Sequence, residues 1–566
     1  MRRSLLALSH LIINGAVFAL GASAFAATNS LETDYAIGDG LGVSVDLDIE
    51  GMYFDGNDIL NTATNGYYPF SFSLIVSNRA KVASVTVSNG GSFHWAYAQN
   101  ADGSYVTDED GNYVESTTTN YGVVVLPTTS ASTVTVTGTG NIGSATFNCA
   151  QPNGGTTAAG AALYAYLPAP AQFVNEGVTT GGWGDAYDSN GTVKATSSTG
   201  VSLGFFGGYA VYEFENPIAD DPTHPYGADF IVYGNAFWNN SEAGCIQVSK
   251  DGATWYDIAG SMYYTKSTKG ATITYTNPNA TEDAGITIPA SNKGTLADVP
   301  YTLTVNGTTT TGTVTKNTFH NHSWFPLNVN YFVDYVTTET TRKQMAKVDE
   351  FSFVSRTLAS NGVTDKLTFT GTLLTDYPGT GKTDQIGFGY CDVHPNKTLG
   401  GTIAYNPYQT FTSSSDYDTK VAGTSGGDPI DIAWAVKSNG TPANLDSIRY
   451  VRIYTGMAQM NGIFGEISTE VCGIAACTGS TTETAATPTI TVDNKTVATT
   501  NGGIKKVNSS NASCTVNVTG TGYVYINGVA TTSATFAPTE SGTKVQVIVQ
   551  NGTAAPYVTW INLVAK

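Results

Sequence analysis

The sequence predicts an all-β protein built from several β-sandwich domains. Runs that alternate polar and apolar residues recur along the 566-residue chain, as in Ser132-Thr-Val-Thr-Val-Thr137, and this period of two is typical of strands. Asn-Gly and Asp-Gly pairs, for example at 306–307 and 251–252, separate such runs as hairpin turns do. Long helical periodicity is nearly absent, and the length accommodates about three domains.

The composition excludes several classes of protein. Lys and Arg number 26 against 45 Asp and Glu, the net charge is −19, and only 13% of the residues are charged. Nucleic acids and anionic membrane surfaces both require clustered basic residues, so we expect neither as a partner. With 41% hydrophobic residues the chain has enough apolar surface to fold, which excludes intrinsic disorder.

The N-terminus has the three parts of an export signal. Two arginines precede an apolar stretch over residues 5–20, and Ala24-Phe-Ala26 follows as a small-x-small cleavage site. Polar residues interrupt the stretch, which leaves it too short for a membrane anchor. We therefore expect a signal peptide over 1–26 and a mature protein that is secreted or held at the extracellular cell surface, without a membrane span.

Stretches of small residues divide the mature chain into three pieces, with one boundary near 150–162 and another near 478–488. We predict an N-terminal β-sandwich domain over 28–155, a large central jelly-roll-like domain over 160–477, and a C-terminal domain over 487–566. The last piece resembles bacterial immunoglobulin-like modules, which implies a spacer or an assembly module.

The central piece carries several motifs in order. It opens with Pro168-Ala-Pro-Ala-Gln-Phe173, and Phe230-Ile-Val-Tyr-Gly-Asn235 follows. Over residues 163–476 it resembles a family of exported bacterial cell-surface proteins with these motifs, although Ala171 and Ala433 depart from the family pattern. The resemblance implies a surface protein of poorly defined biochemistry. Some relatives occur beside corrinoid-capture modules, which makes a corrinoid one candidate ligand.

Acidic residues are scarce, so their recurrence in the central motifs points to a site. The recurring acids are Glu242, Asp392, Asp428, Asp431, Glu466 and Glu470. Calcium takes about six to eight oxygen ligands, mainly from carboxylates and carbonyls. We predict a calcium site whose metal ligands are Asp428, Asp431, Glu466 and Glu470. The alternative is a solvated acidic surface.

Aromatic and polar side chains of the same region are candidates for ligand contacts. Trp238 and Trp324 stand beside loops rich in Asn, Ser and His, and we expect both rings to be exposed. His320 and His322 are two residues apart, which places them on one face of a strand, and Asn235 ends the second motif. We predict these five residues as contacts for a glycan or another small molecule. A metal held by the histidine pair is an alternative.

Catalytic signatures are weak. A His-Glu-x-x-His motif is missing, and a glycosidase pair made of Glu466 with Glu470 or Asp431 is one that any chain of this size supplies. We therefore expect a secreted or cell-surface binding or adhesion protein that does not catalyse a reaction. The alternatives are capture of a small nutrient such as a corrinoid, a carbohydrate-active enzyme, and a structural surface-layer or filament subunit that self-assembles.

Six cysteines in a chain of this length do not form a disulfide framework. Cys472 and Cys477 are close enough in sequence to close a small loop, so a disulfide and two free thiols are both open there. A metal site is less favoured at this pair, because no second Cys or His pair matches its spacing.

Overall fold

A computed structural model describes most of the chain. The described residues are 35–46, 52–55, 58–61, 71–89, 91–96, 98, 114–125, 132–149, 161–175, 200–238, 240–280, 297–320, 322–326, 351–361, 363–375, 387–403, 405–462 and 465–566. The predicted signal peptide over 1–26 lies outside these residues.

Contacts divide the chain into two compact units, residues 1–155 and 156–566. Among the described residues, strands predominate and helix is scarce, so the predicted all-β fold with several sandwiches is confirmed. The finer division of the second unit into domains at 160–477 and 487–566 stays a prediction. Among the described residues, no helix is both long enough and apolar enough to cross a membrane.

The first unit is a sandwich of two five-stranded sheets. Its strands are β1 (Tyr35–Gly38), β2 (Leu41–Asp46), β3 (Met52–Asp55), β4 (Asp58–Asn61), β5 (Ser71–Val76), β6 (Val82–Val87), β7 (Ser92–Trp95), β8 (Tyr121–Val125), β9 (Ser132–Gly138) and β10 (Ser144–Cys149). The sheet orders are β1-β2-β5-β8-β7 and β3-β4-β10-β9-β6. Val134 and Val136 of β9 enter the core while the intervening threonines face outward, which is the alternation that the sequence predicted.

The central strands of the second unit form four sheets. They are β11 (Ala162–Leu167), β12 (Val201–Ser202), β13 (Tyr209–Ala219), β14 (Phe230–Tyr233), β15 (Gly244–Ser249), β16 (Tyr256–Ile258), β17 (Ser267–Thr276), β18 (Val299–Val305), β19 (Thr308–Val314), β20 (Val354–Leu358), β21 (Thr364–Leu374), β22 (Asp428–Ile430), β23 (Ala435–Val436), β24 (Ser447–Thr455), β25 (Glu470–Val471) and β26 (Gly473–Ala476). One short helix, α1 (Ser414–Lys420), precedes β22.

A six-stranded sheet, β11-β13-β24-β15-β16-β23, is the middle layer of this unit. Tyr212 and Ile246 on one face share a core with the sheet β22-β14-β26. Val211 and Cys245 on the other face share a core with the sheet β19-β18-β17-β21-β20. Because both faces are covered, these strands are apolar along much of their length, as is typical of strands buried on two sides.

The C-terminal strands form two further sheets, β28-β27-β30-β33 and β29-β35-β34-β31-β32. Their bounds are β27 (Thr489–Val492), β28 (Lys495–Thr496), β29 (Ile504–Ser509), β30 (Cys514–Thr519), β31 (Tyr523–Ile526), β32 (Val529–Ala530), β33 (Ser533–Phe536), β34 (Thr543–Gln550) and β35 (Tyr557–Ala565). Tyr525 and Trp560 belong to the core of the central strands, and Trp560 Nε1 donates to the hydroxyl of Tyr264 at 2.8 Å. The second of these sheets is therefore buried on both faces.

The Asp-Gly turn between β15 and β16 has the chemistry that its sequence indicates. Asp251 Oδ1 accepts hydrogen bonds from the backbone N–H groups of Ala253 (2.8 Å) and Thr254 (2.7 Å). Gly252 adopts φ 74°, and Trp255 Nε1 donates to its carbonyl at 3.1 Å. The aspartate caps the turn and the glycine supplies the left-handed conformation.

All six cysteines are free thiols, so a disulfide between Cys472 and Cys477 is not formed. Strand β26 occupies the residues between them, and extended backbone separates the two Cα atoms by roughly 16 Å. A disulfide requires a Cα separation below about 7 Å. Cys472 Sγ lies 3.1 Å from the carbonyl oxygen of Gly234, and Cys477 is buried.

Candidate metal centre

Three segments bring scarce carboxylates together at one end of β14. After β14 ends, a loop leads through Asn235 to Glu242; Asp392 lies in the segment before α1, and Glu470 begins β25. Asp392 ties the segments to one another. Its Oδ1 accepts the N–H of Asn235 at 2.6 Å, its Oδ2 accepts the N–H of Glu470 at 3.0 Å, and its carbonyl accepts the N–H of Glu242 at 3.0 Å.

The side chains of Glu242, Asp392 and Glu470 form what we term the carboxylate cluster. One carboxylate oxygen from each residue lies within 4.8 Å of those of the other two. Asp392 and Glu470 are buried, and Glu242 is half-buried. Within the described part of the chain, no Lys or Arg forms an ion pair with any of the three.

Three ionised carboxylates at this separation repel one another strongly. Each pair costs on the order of 3 kcal/mol at an effective dielectric constant of about 20. Burial, followed by the charge of Glu242, raises the pKa of both Asp392 and Glu470, and burial raises that of Glu242 to about 7. A divalent cation would remove this cost, and oxygen-rich, acidic surroundings are the type that Ca²⁺ selects. The residues present therefore fit a calcium ion.

Two of the predicted metal ligands flank the cluster rather than belong to it. Asp428 accepts hydrogen bonds from His394 Nδ1 (2.9 Å) and the N–H of Val393 (3.0 Å), and its charge contributes to the raised pKa of Asp392. Glu466 Oε1 accepts the N–H of Gln172 at 3.2 Å. Burial, with a smaller contribution from the charge of Glu242, raises its pKa to about 7. Both residues add negative charge around the cluster.

Asp431, the remaining predicted ligand, lies in a different group. It caps the 3₁₀ turn Ile432–Trp434, where its Oδ1 accepts the N–H of Ala433 at 2.7 Å. Its carboxylate lies with those of Asp220 and Asp229, and not with Glu470. The four predicted ligands therefore do not converge on one ion.

The expectation of an exposed ring is wrong for Trp324. Its side chain is fully buried in the core beside the sheet of β17, and its Nε1 donates to the carbonyl of His320 at 3.3 Å. Asn175 Nδ2 donates to the carbonyls of Ser323 (2.7 Å) and Phe325 (2.8 Å), which draws this segment inward. A tryptophan in a polar sequence thus fills the core because its flanking backbone is tied down.

Trp238 is half-buried. Its ring packs edge-on against Phe411 at 6.4 Å and tilted against Tyr417 at 6.3 Å. The predicted histidines lie near each other, with ring centroids 6.0 Å apart. His322 is buried, and His320 is half-buried with its ring edge-on to Phe173 at 4.8 Å.

Two phenylalanine rings are strongly exposed: Phe237 and Phe319, with 71% and 70% of their surface exposed. They are the most exposed large apolar residues in the described part of the chain. Phe237 lies in the loop that leads to Glu242. Phe319 lies in the loop of Asn317, whose Nδ2 donates to Gln172 Oε1 at 2.6 Å, and the N–H of Gln172 donates to Glu466 beside the cluster. Sequence reasoning missed both; the available signal was one phenylalanine within each polar loop.

No protein-family model matches the sequence, and no curated protein is detectably similar to it. The resemblance of residues 163–476 to exported cell-surface proteins therefore stays a prediction based on the motifs. The fold and the carboxylate cluster define the chain as an all-β protein with a candidate cation site at the end of a buried strand.

Proposed function

We propose that this is an exported cell-surface binding protein in which Ca²⁺ orders loops that present aromatic contacts to a glycan. The observation that carries the proposal is the convergence of Glu242, Asp392 and Glu470 within 4.8 Å, at the base of the loop that presents Phe237. Export is supported by the signal-like N-terminus over residues 1–26.

Calcium has a specific task in this proposal. Asp392 already holds the backbone of Asn235, Glu242 and Glu470 by hydrogen bonds, and a cation bound to the three carboxylates adds a second tie. The Asn235–Glu242 loop is then fixed at both ends. Fixing a loop before the ligand arrives reduces the entropy lost on binding, and this strengthens affinity.

The exposed rings provide the ligand contacts. Phe237 and Phe319 leave most of their apolar surface in water, and covering such surface is favourable. The amide side chains of Asn235 and Asn317 lie on the same loops as these rings. A ligand with apolar ring faces and many hydroxyl groups matches this combination, which favours a glycan.

A panel of immobilised polysaccharides and oligosaccharides, probed with the mature full-length chain, tests the proposal. We expect calcium-dependent binding that a chelator abolishes. Phe237→Ala and Phe319→Ala should each weaken it about tenfold, which corresponds to a lost contact of about 1.4 kcal/mol. Asp392→Asn should remove the calcium dependence together with most of the binding.

Leu358→Ala is the matched control, because Leu358 is also exposed (55%) but lies on β20. It should bind as the unaltered chain does. The proposal is contradicted if glycan affinity is unchanged by the chelator and is the same in both phenylalanine variants as in the unaltered chain. Retention of a corrinoid after dialysis, without glycan binding, would favour nutrient capture instead.

A further inference from the structure

A second group of carboxylates lies apart from the carboxylate cluster. Asp220 at the end of β13, Asp229 before β14 and Asp431 after β22 each place one carboxylate oxygen within 4.8 Å of the others. Asp229 and Asp431 are each 1% exposed, and Asp220 is half-buried. Three separate segments therefore bring their carboxyl groups together in a largely buried position.

Asp431 has an oxygen that the protein does not satisfy. Its Oδ1 accepts the N–H of Ala433, but its Oδ2 is buried and has no hydrogen-bond partner in the described part of the chain. Asp229, in contrast, uses both oxygens, which accept the N–H groups of Asp221 and Ile432 at 2.9 Å each. A buried carboxylate oxygen without a partner is costly, and it indicates a missing ligand.

The protein provides little positive charge to offset this group. His224 Nδ1 lies 3.3 Å from Asp229 Oδ1, yet burial lowers the pKa of His224. Burial is also the largest cause of the raised pKa values of Asp229 and Asp431, and it raises that of Asp220 to about 7. Among the described residues, none of the three aspartates forms an ion pair with Lys or Arg.

The loop between Asp220 and Asp229 contacts the C-terminal strands. Tyr226, in the left-handed conformation at φ 62°, donates its N–H to the carbonyl of Thr553 at 2.8 Å. Gly227 packs so closely that a Cβ there would lie 2.7 Å from Pro556 Cδ and 2.8 Å from Asp431 Oδ2. Gly227 thus lies between the second carboxylate group and the segment that joins β34 to β35.

We infer that Asp220, Asp229 and Asp431 form a second calcium site, whose ion fastens the 220–229 loop and, through it, the C-terminal strands to the central strands. The inference does not depend on the proposed glycan function. Carboxylate oxygens without nitrogen or sulfur ligands match Ca²⁺, which also accepts backbone carbonyls and water to complete its shell.

Equilibrium dialysis of the full mature chain against calcium alone tests the site. We expect two ions per chain, one for each carboxylate group. Asp431→Asn, which preserves shape, should bind one, and Asp392→Asn should also bind one. Asp221→Asn is the matched control, because Asp221 neighbours Asp220 but caps Thr223 at 2.9 Å and lies outside the group; it should bind two.

Hydrogen exchange gives a readout that does not depend on stoichiometry. Removing calcium from the unaltered chain should speed exchange of the Tyr226 amide at least about tenfold. Asp431→Asn should show the fast rate with or without calcium, whereas Asp392→Asn should retain the calcium effect.

The outcomes separate this site from the first. Loss of an ion in Asp431→Asn but not in Asp392→Asn supports this inference and contradicts the proposed role of the carboxylate cluster. The inference is overturned if Asp431→Asn still binds two calcium ions per chain. It is also overturned if the exchange rate of the Tyr226 amide does not change with calcium.

Discussion

Arg452 is a fully buried cation on β24, held by aromatic rings, one side-chain amide and one backbone carbonyl. Its guanidinium lies 3.5 Å from the ring centroid of Phe353 and 4.2 Å from that of Tyr454. Its Nη1 donates to Gln247 Oε1 at 2.7 Å, and Gln247 Nε2 donates to Asp257 Oδ1 at 2.7 Å. Burial lowers the pKa of Arg452 to about 10, so it stays charged at neutral pH and offsets the buried Asp257.

Replacing this cation should expose its role. Arg452→Met is expected to lower the free energy of unfolding by about 3–5 kcal/mol, because it removes the buried guanidinium that offsets the charge of Asp257. Urea unfolding at pH 7 measures the change. Adding Asp257→Asn to the same chain should recover part of the loss, and a single variant as stable as the unaltered chain would refute the account.

At the residue scale, the sequence predicted those features that depend only on neighbouring residues in the chain. The cap formed by Asp251 and the left-handed Gly252 follow from four neighbouring residues, so the sequence was sufficient. The burial of Trp324 depends on Asn175, which is far away in the chain, and no local pattern revealed it. Glu242 and Asp392 stood out as scarce acids, but only long-range pairing selected them as partners of Glu470.

At the scale of elements, two Asn-Gly turns share one local conformation in different surroundings. Asn306 and Gly307 join β18 to β19 with φ 49° and 75°; Asn527 and Gly528 join β31 to β32 with φ 48° and 77°. A Cβ at Gly307 would meet no atom within 4 Å. A Cβ at Gly528 would lie 1.9 Å from the carbonyl oxygen of Ser261.

This pair separates backbone strain from packing. Gly307→Ala should lower the free energy of unfolding by about 1–2 kcal/mol, the cost of a left-handed residue with a side chain. Gly528→Ala should lose about 1–3 kcal/mol more, because the C-terminal turn must move away from Ser261. Each variant is the control for the other in urea unfolding, and equal losses would contradict the close packing at Gly528.

The strands themselves were more predictable than their partners. Alternation located β9, and the Asn-Gly pair at 306–307 located the turn between β18 and β19, since both signals are local. The pairing of β13 with β24 joins residues more than two hundred positions apart, for example Tyr212 with Val451. Sheet order of this kind depends on the whole chain, and so do the places where strand ends bring acids together.

For the whole molecule, the net charge of −19 counts acidic side chains that are partly or fully buried in the fold. Burial raises the pKa values of Glu242, Glu466 and Asp220 to about 7 in the folded chain. The unfolded chain titrates these groups near pH 4. Without a cation, the folded state thus holds more protons between those values, and its stability increases as the pH falls through about 7.

We therefore expect opposite pH responses with and without calcium. In chelator, the melting temperature should be higher at pH 5.5 than at pH 8, because protonation relieves the repulsion. In excess calcium, the gain in melting temperature should be larger at pH 8, since protons compete with the ion for the carboxylates. Calorimetry at both values measures this, and a calcium effect that does not change with pH would oppose the assignment.

The predicted boundary near 478–488 stays a prediction, and contacts join residues 156–566 into one compact unit. Tyr525 and Trp560 are the cause, because they pack into the core of the central strands. Composition and linkers predict where a chain changes character. They do not predict which face of a later module packs against the preceding strands. An apolar strand has the same sequence pattern whether it fills the core of its own module or contacts another one.

Titration calorimetry of calcium into the mature chain tests the central claim most directly. Our account predicts saturable binding that weakens in Asp392→Asn, accompanied by a rise in melting temperature. Heats no larger than those of dilution, with a melting temperature unchanged by calcium or chelator, would contradict the claim that Glu242, Asp392 and Glu470 form a metal centre.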